Sequence, residues 1–285
     1  MIKKICLTIL FAVLTICITT AQQNKKVTKE QLSTLKQSTL FVVFDDNLIA
    51  YNVSVKAAVE KNWTLTPVKC VSYAEFEQLR ANKNNFFLLL TRTSLTKDKR
   101  QIEYEYLNFL MGDNVELIND LPEVLTLPLA YTGTDDARYA GKLPVIIRFA
   151  QQHISKMLEA RGLNSFFNLK NYNDNIKDIK KKTLLVVADD LGDDANTIEK
   201  IKAGYPYDVK IVSMDDLDNA IDQKTPNTLI LFVVHPGDDG SFGRNYKMIF
   251  DVTDGKMYFY YYLTVYQRQP SGFTAKDFRR IAGSF

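Results

Sequence analysis

The same run of residues occurs twice in this chain. Residues 39–46 read Thr-Leu-Phe-Val-Val-Phe-Asp-Asp and residues 183–190 read Thr-Leu-Leu-Val-Val-Ala-Asp-Asp, identical at six of eight positions. Two further blocks follow in the same order and at similar spacing. Val68-Lys69-Cys70-Val71-Ser72 matches Val209-Lys210-Ile211-Val212-Ser213, and residues 86–91 match 229–234. Ordered blocks of this kind mark one structural unit used twice, so both halves of the chain face the same folding problem.

Each block has a physical reading. Residues 40–44 and 184–188 are continuous apolar runs closed by two aspartates, the pattern of a strand buried on both faces that emerges into water at its carboxyl end. Helical stretches follow at 52–62 and 197–203, and second strands at 68–71 and 209–212. Ser72 with Glu75, and Ser213 with Asp216, then supply a capping hydroxyl and an acidic first turn, which predict a helix start in both halves. Residues 86–91 and 229–234 suit central strands. Residues 103–111 and 246–253 read as amphipathic strands that run into Gly112-Asp113-Asn114 and Asp254-Gly255, which is hairpin turn chemistry.

Alternating strands and helices imply parallel pairing through crossover helices, and the hairpins imply an antiparallel addition. The predicted fold class is α/β, with two tandem repeats, each a mixed, mainly parallel sheet with an antiparallel hairpin extension and flanking helices. An amphipathic helix is expected over 143–158, with Pro144 in its first turn, and a shorter one over 274–281. Lead-in helices are expected over 28–36, where Thr28 and Gln31 form a capping box, and over 173–181. The division that follows is 1–21 as a leader, 22–163 as repeat 1, 164–172 as a linker and 173–285 as repeat 2.

The leader is read from Met1-Ile2-Lys3-Lys4, the apolar stretch 5–18 and the small residues Thr19-Thr20-Ala21, a secretory signal peptide cleaved after Ala21. The apolar run is shorter than the roughly 20 residues that span a bilayer. A lipid-modified Cys17 would want a small residue before it, and Ile16 is large. Export to the periplasm is the expectation, with an extracellular or lipid-anchored location as the alternatives and no transmembrane segment after cleavage. Loss of Cys6 and Cys17 leaves Cys70 alone, so an internal disulfide is not expected. Loss of Lys3 and Lys4 lowers the formal charge from +3 to +1, which gives no reason to expect a nucleic-acid partner.

The chemistry on offer is limited. His153 and His235 are the two histidines of the chain, and no zinc-ligand spacing accompanies them. There is no Gly-x-Ser-x-Gly elbow, Cys70 falls inside a predicted strand, and no glycine-rich phosphate loop follows either first strand, so a nucleotide cofactor is not expected. The candidate site is the set of strand-end carboxylates Asp45, Asp46, Asp189 and Asp190, joined by Asp193, Asp194, Asp238 and Asp239. Oxygen ligands of this kind suit magnesium or calcium, and aspartates equally end strands and turn chains at a sheet's rim. His235 follows a predicted central strand, where open α/β sheets bind ligands. A second candidate surface is the stripe Tyr258, Tyr260, Tyr262 and Tyr266, which strict alternation places on one strand face; a strand sandwiched inside the fold would carry the same stripe.

The second repeat resembles response-regulator receiver domains in its acidic pair and in the run 229–240, but Phe232 stands where that family's phosphorylated aspartate would be, so receiver chemistry is not expected. The neighbourhood of Trp63 and Ser72-x-x-Glu75-Phe76 resembles a family of uncharacterised exported proteins of Gram-negative bacteria with tandem α/β repeats, over most of the mature chain. In element order alone the chain is similar to the TolB amino-terminal-type envelope domains and to a domain of the curli secretion channel. The family resemblance implies no activity; export, the duplication and the missing catalytic motifs lead to the expectation of a non-catalytic periplasmic protein that binds an envelope protein or scaffolds an assembly. Two other readings stay open: a metal-dependent hydrolase or phosphotransfer enzyme using Asp189 and Asp190, and a receptor for a small ligand held between the repeats.

Overall fold

In the computed structural model, which describes residues 25–94, 103–235, 243–265 and 272–283, the two copies form two five-stranded sheets of the same topology. The first contains β1 (Leu40–Val43), β2 (Val68–Val71), β3 (Phe86–Ser94), β4 (Glu103–Met111) and β5 (Glu123–Tyr131), in the order β2-β1-β3-β4-β5. The second contains β6 (Thr183–Val187), β7 (Val209–Val212), β8 (Thr228–Val234), β9 (Gly243–Asp251) and β10 (Met257–Val265), in the equivalent order β7-β6-β8-β9-β10. Registers match as well as topology. Leu40 lies opposite Val68 and Phe86, and Leu184 lies opposite Val209 and Leu229, the positions that the duplicated blocks align. β1, β2 and β3 pair in parallel, as do β6, β7 and β8, and the other two strands of each sheet are added antiparallel, so each sheet is mixed, as the sequence predicts.

Helices follow the same duplication. α1 (Lys29–Ser33) leads in, and α2 (Ile49–Asn62) and α3 (Tyr73–Leu79) cross between the parallel strands of repeat 1. α4 (Ala137–Ala140) and the long α5 (Leu143–Glu159) follow its sheet, and α6 (Ile198–Lys202), α7 (Met214–Asp222) and α8 (Ala275–Ala282) serve repeat 2. The predicted caps form: the Thr28 and Ser72 capping boxes close, and the Ser213 hydroxyl accepts the Asp216 amide.

The second lead-in differs from the sequence expectation. It is a 3-10 helix, Leu169–Lys181, that begins inside the stretch read as a linker and runs along the β10 edge. Asn173 accepts from the Tyr260 amide at 2.7 Å and donates to its carbonyl at 3.1 Å, while Asn175 donates to the Met257 carbonyl. These side chains satisfy the edge strand's backbone and shield it from pairing with another chain.

Opposite faces of each sheet enter separate cores. In repeat 1, Leu40, Val42, Phe86 and Leu88 face α2 and α5, while Val43, Phe87 and Leu89 face Phe76 of α3. In repeat 2, Leu184, Val186 and Leu231 face α6 and α8, and Leu185, Val187, Ile230 and Phe232 join the core that holds α5. α5 is thus covered by non-equivalent faces of the two sheets, and the largest core is common to both repeats. The face of sheet 1 equivalent to the one that α5 covers in repeat 2 is closed instead by the β4–β5 connection. That connection is no tight hairpin. Leu121, Val115 and Ile118 fold down onto the α3 side, and Arg80 holds the loop through the Val115 and Glu116 carbonyls.

Candidate functional site

The carboxyl ends of β6 and β8 meet β5 and the α4–α5 junction in a cleft of about 420 Å³ between the repeats. Leu129, Ala130, Phe232 and Val234, all nearly buried, lie at its floor, and its walls bring Tyr131, Thr134, Arg138, Lys142, Asp189, Asp190 and His235 together, so that more of its exposed surface is polar than apolar. β6 ends in a short 3-10 turn, Ala188–Asp190. The next residues are pinned to the chain before α8, with the Phe273 amide donating to the Asp190 carbonyl and the Gly192 amide to the Phe273 carbonyl. The turn so held leaves Asp189 in solvent and buries Asp190 at 1% exposure.

Asp190 meets cations supplied by the other repeat. Lys142, 2% exposed at the N-cap of α5, places its Nζ 2.9 Å from Oδ2 and 5.0 Å from the centroid of the Phe232 ring. Arg138 of α4 is 40% exposed and reaches Oδ1 at 3.4 Å and the Asp189 carbonyl at 3.4 Å. Phe232, in the position of a receiver domain's phosphoacceptor, is therefore a floor residue beneath a buried lysine.

The equivalent carboxyl-end cleft of repeat 1, about 460 Å³, uses its aspartates differently. Here the first of the pair is engaged: Asp45 accepts from Arg92 at 3.2 Å, and Arg92 also holds Glu105 at 3.1 Å. Burial pushes the Glu105 carboxyl up and the Arg92 contact opposes this. Asp46 is exposed.

The remaining predicted residues disperse. Asp193 and Asp194 are exposed; Asp194 accepts the Ala275 amide at the start of α8 at 3.1 Å, and the Asp193 carbonyl accepts from Lys200. Asp238, Asp239 and Tyr266 lie outside the described residues. Among the described residues, no three His, Cys, Asp or Glu side chains gather in a way that could hold a metal ion, and no helix is long and apolar enough to cross a membrane. Cys70 is half-buried and free, with its thiol pushed up by burial.

The tyrosine stripe does not share one face. β10 shifts register between Met257 and Phe259, a bulge that breaks strict alternation and sends Tyr258 to the α8 side while Tyr260 and Tyr262 turn to the core shared with repeat 1. There Tyr262 lies 5.6 Å from Tyr246, whose hydroxyl meets that of Tyr106 at 2.6 Å. Tyr260 and Tyr262 thus belong largely to the contact between the repeats.

No protein-family model, curated protein or solved structure matches this chain. Four of the cleft's residues, Tyr131, Thr134, Arg138 and Lys142, escape the sequence reading. The nearest signal was Lys142, a cation placed directly before the amphipathic helix, but nothing local to it marks a lysine that will be buried.

His153, the other histidine, is a core residue of α5. Its Nδ1 meets the Tyr172 hydroxyl at 2.8 Å, its Nε2 has no partner, and burial, reinforced by Lys156, pushes its pKa down to about 3. Because the folded value lies below the unfolded one, its contribution is complete above about pH 6.5 and is lost as the pH falls toward 3. The stability loss from this residue is expected to reach about 2 kcal/mol at pH 5. Urea unfolding at pH 7 and pH 5 checks it: His153→Phe should lose less stability between the two than wild type, and equal losses would refute the assignment.

Proposed function

We propose that the protein is an exported small-ligand-binding protein whose site is the cleft between its two repeats. The observation that carries this reading is that both repeats build one pocket, lined by converging charged groups over nearly buried apolar side chains, at the carboxyl ends of parallel strands. That is where α/β sheets place ligands. Both oxygens of Asp190 are engaged by Lys142 and Arg138, which suits a fixed wall of a binding site better than a proton carrier or a metal ligand. A magnesium or calcium ion at Asp190 would have to displace a buried lysine.

The test is to purify the chain from the envelope of an expressing Gram-negative cell and examine it by native mass spectrometry. The reading expects a mature chain starting at Gln22 and a bound small molecule that Thr134→Trp, which fills the cleft, no longer carries. The same adduct on both proteins, or none on either, counts against it.

Partner binding remains the second reading, on one observation. Ile49 and Val53, four residues apart on α2, are 76% and 65% exposed, and Leu117 and Tyr73 are also exposed in repeat 1. Photo-crosslinking from position 53 in cells should then trap an envelope protein that a crosslinker at Lys200, on repeat 2, does not.

A further inference from the structure

We infer that the cleft takes a small organic carboxylate, its apolar body on the Phe232 floor and its carboxylate on Arg138; this rests on the cleft being the binding site. Asp190 and Lys142 are both nearly free of solvent and form a closed pair at 2.9 Å, so each neutralises the other in a medium where an unpaired charge is costly. Asp189 is solvated at the rim. Among the described residues that line the cleft, Arg138 is the remaining Lys or Arg cation, and both its contacts, to Asp190 and to the Asp189 carbonyl, are long at 3.4 Å. A guanidinium has five N–H donors in a planar fork, and both long contacts come from Nη2 alone, which leaves Nη1 and Nε of that fork available.

A planar fork selects a planar, two-oxygen anion, and carboxylate pairs with it through two parallel bonds. The rest of the cleft selects what the carboxylate is attached to. Leu129, Ala130, Phe232 and Val234 are among the lining of a space of about 420 Å³, far more than a bare inorganic anion on Arg138 would fill, so there is room for the body that the carboxylate is attached to. Thr134 stands on the same wall as Arg138, its hydroxyl donating to the Tyr131 carbonyl at 2.7 Å, and is a position from which occupancy can be read.

The experiment places a reporter thiol there, Thr134→Cys in a Cys70→Ser background of the mature chain, and follows its labelling by a neutral methanethiosulfonate. Phenylacetate, its neutral isostere phenylacetamide and inorganic phosphate serve as competitors. Phenylacetate should slow labelling at least tenfold more effectively than either of the others. Arg138→Gln should remove that preference and Arg138→Lys, which keeps the charge but not the fork, should retain only part of it. Equal protection by acid and amide would overturn the carboxylate assignment while leaving the cleft as a binding site. Stronger protection by phosphate than by phenylacetate would overturn it in favour of a bare oxyanion. Labelling at the rate of a free thiol, unaffected by any competitor, would overturn both the assignment and the cleft reading.

Discussion

Lys142→Met should destabilise the protein by about 3–5 kcal/mol, the range found when one partner of a buried ion pair is removed. The cost comes from what is left behind. Asp190 is 1% exposed, and its closest cation is Lys142 at 2.9 Å; Arg138, at 3.4 Å, is a poor substitute. Methionine fills much of the lysine's volume and can keep the contact with the Phe232 ring, so lost packing contributes little and the carboxylate's desolvation dominates. For a chain of this size the loss should appear as a fall in Tm of roughly 10 °C. The double variant Lys142→Met/Asp190→Leu separates the causes. It removes both charges and should regain most of the stability, because a buried pair contributes little net against apolar residues of similar volume. Thermal unfolding of the three proteins decides: a double variant no more stable than the single one would show that packing, not charge, holds the junction. The pair links α5 of repeat 1 to the β6 turn of repeat 2, so its loss should also expose the cleft to faster amide exchange before global unfolding.

The legibility of this molecule in its sequence divides along local and non-local lines. Strands β1, β3, β6 and β8 were readable because burial on both faces leaves continuous apolar runs, and the edge strands β2 and β7, each with an exposed lysine, were readable because the duplication repeats Val-Lys-x-Val-Ser in both copies. The Ser72 and Ser213 caps were readable because a cap is a contact three residues long. Asp190 could be picked out as a strand-end aspartate, but its partners could not: Lys142 and Arg138 belong to the other repeat, and the three meet only once α5 is clasped between non-equivalent faces of two sheets. Repeat symmetry was misleading here, since the engaged aspartate is the second of its pair in repeat 2 and the first, Asp45, in repeat 1. The Tyr258 placement failed for a smaller reason. One bulged residue in β10 changes the face of everything before it, and a bulge between two aromatic residues leaves no mark in composition. β5 also went unread, because Pro128 and the irregular pairing beside it interrupt the alternation that would announce an edge strand.

Gly255→Ala should cost about as much, roughly 3–5 kcal/mol, from left-handed backbone strain together with overpacking. Gly255 turns the β9–β10 hairpin with φ +76°, and a Cβ there would lie 2.3 Å from the Phe149 nitrogen and 2.7 Å from the Arg148 carbonyl carbon. Both are backbone atoms or bonded to them in the middle of α5, so neither can swing aside as a side-chain end could; the hairpin has to move. Moving it breaks a buried clamp. Arg148 is nearly buried, its pKa lowered by that burial, and its guanidinium donates to the Val252 carbonyl at the hairpin, to the Ile221 carbonyl at the end of α7 at 3.0 Å and to Pro144 in its own helix at 3.1 Å. Three carbonyls from both repeats thus compensate one desolvated cation, and withdrawing one leaves the charge under-satisfied. Gly133→Ala is the control for backbone strain, since Gly133 has φ +93° with nothing within 4 Å of its would-be Cβ; it should cost about 1–2 kcal/mol. If the clash acts through the clamp, Arg148→Met and Gly255→Ala should sum to less than their separate losses, because the second change finds the Val252 contact already gone. Full additivity in urea unfolding would mean that the hairpin and the arginine hold the repeats together independently.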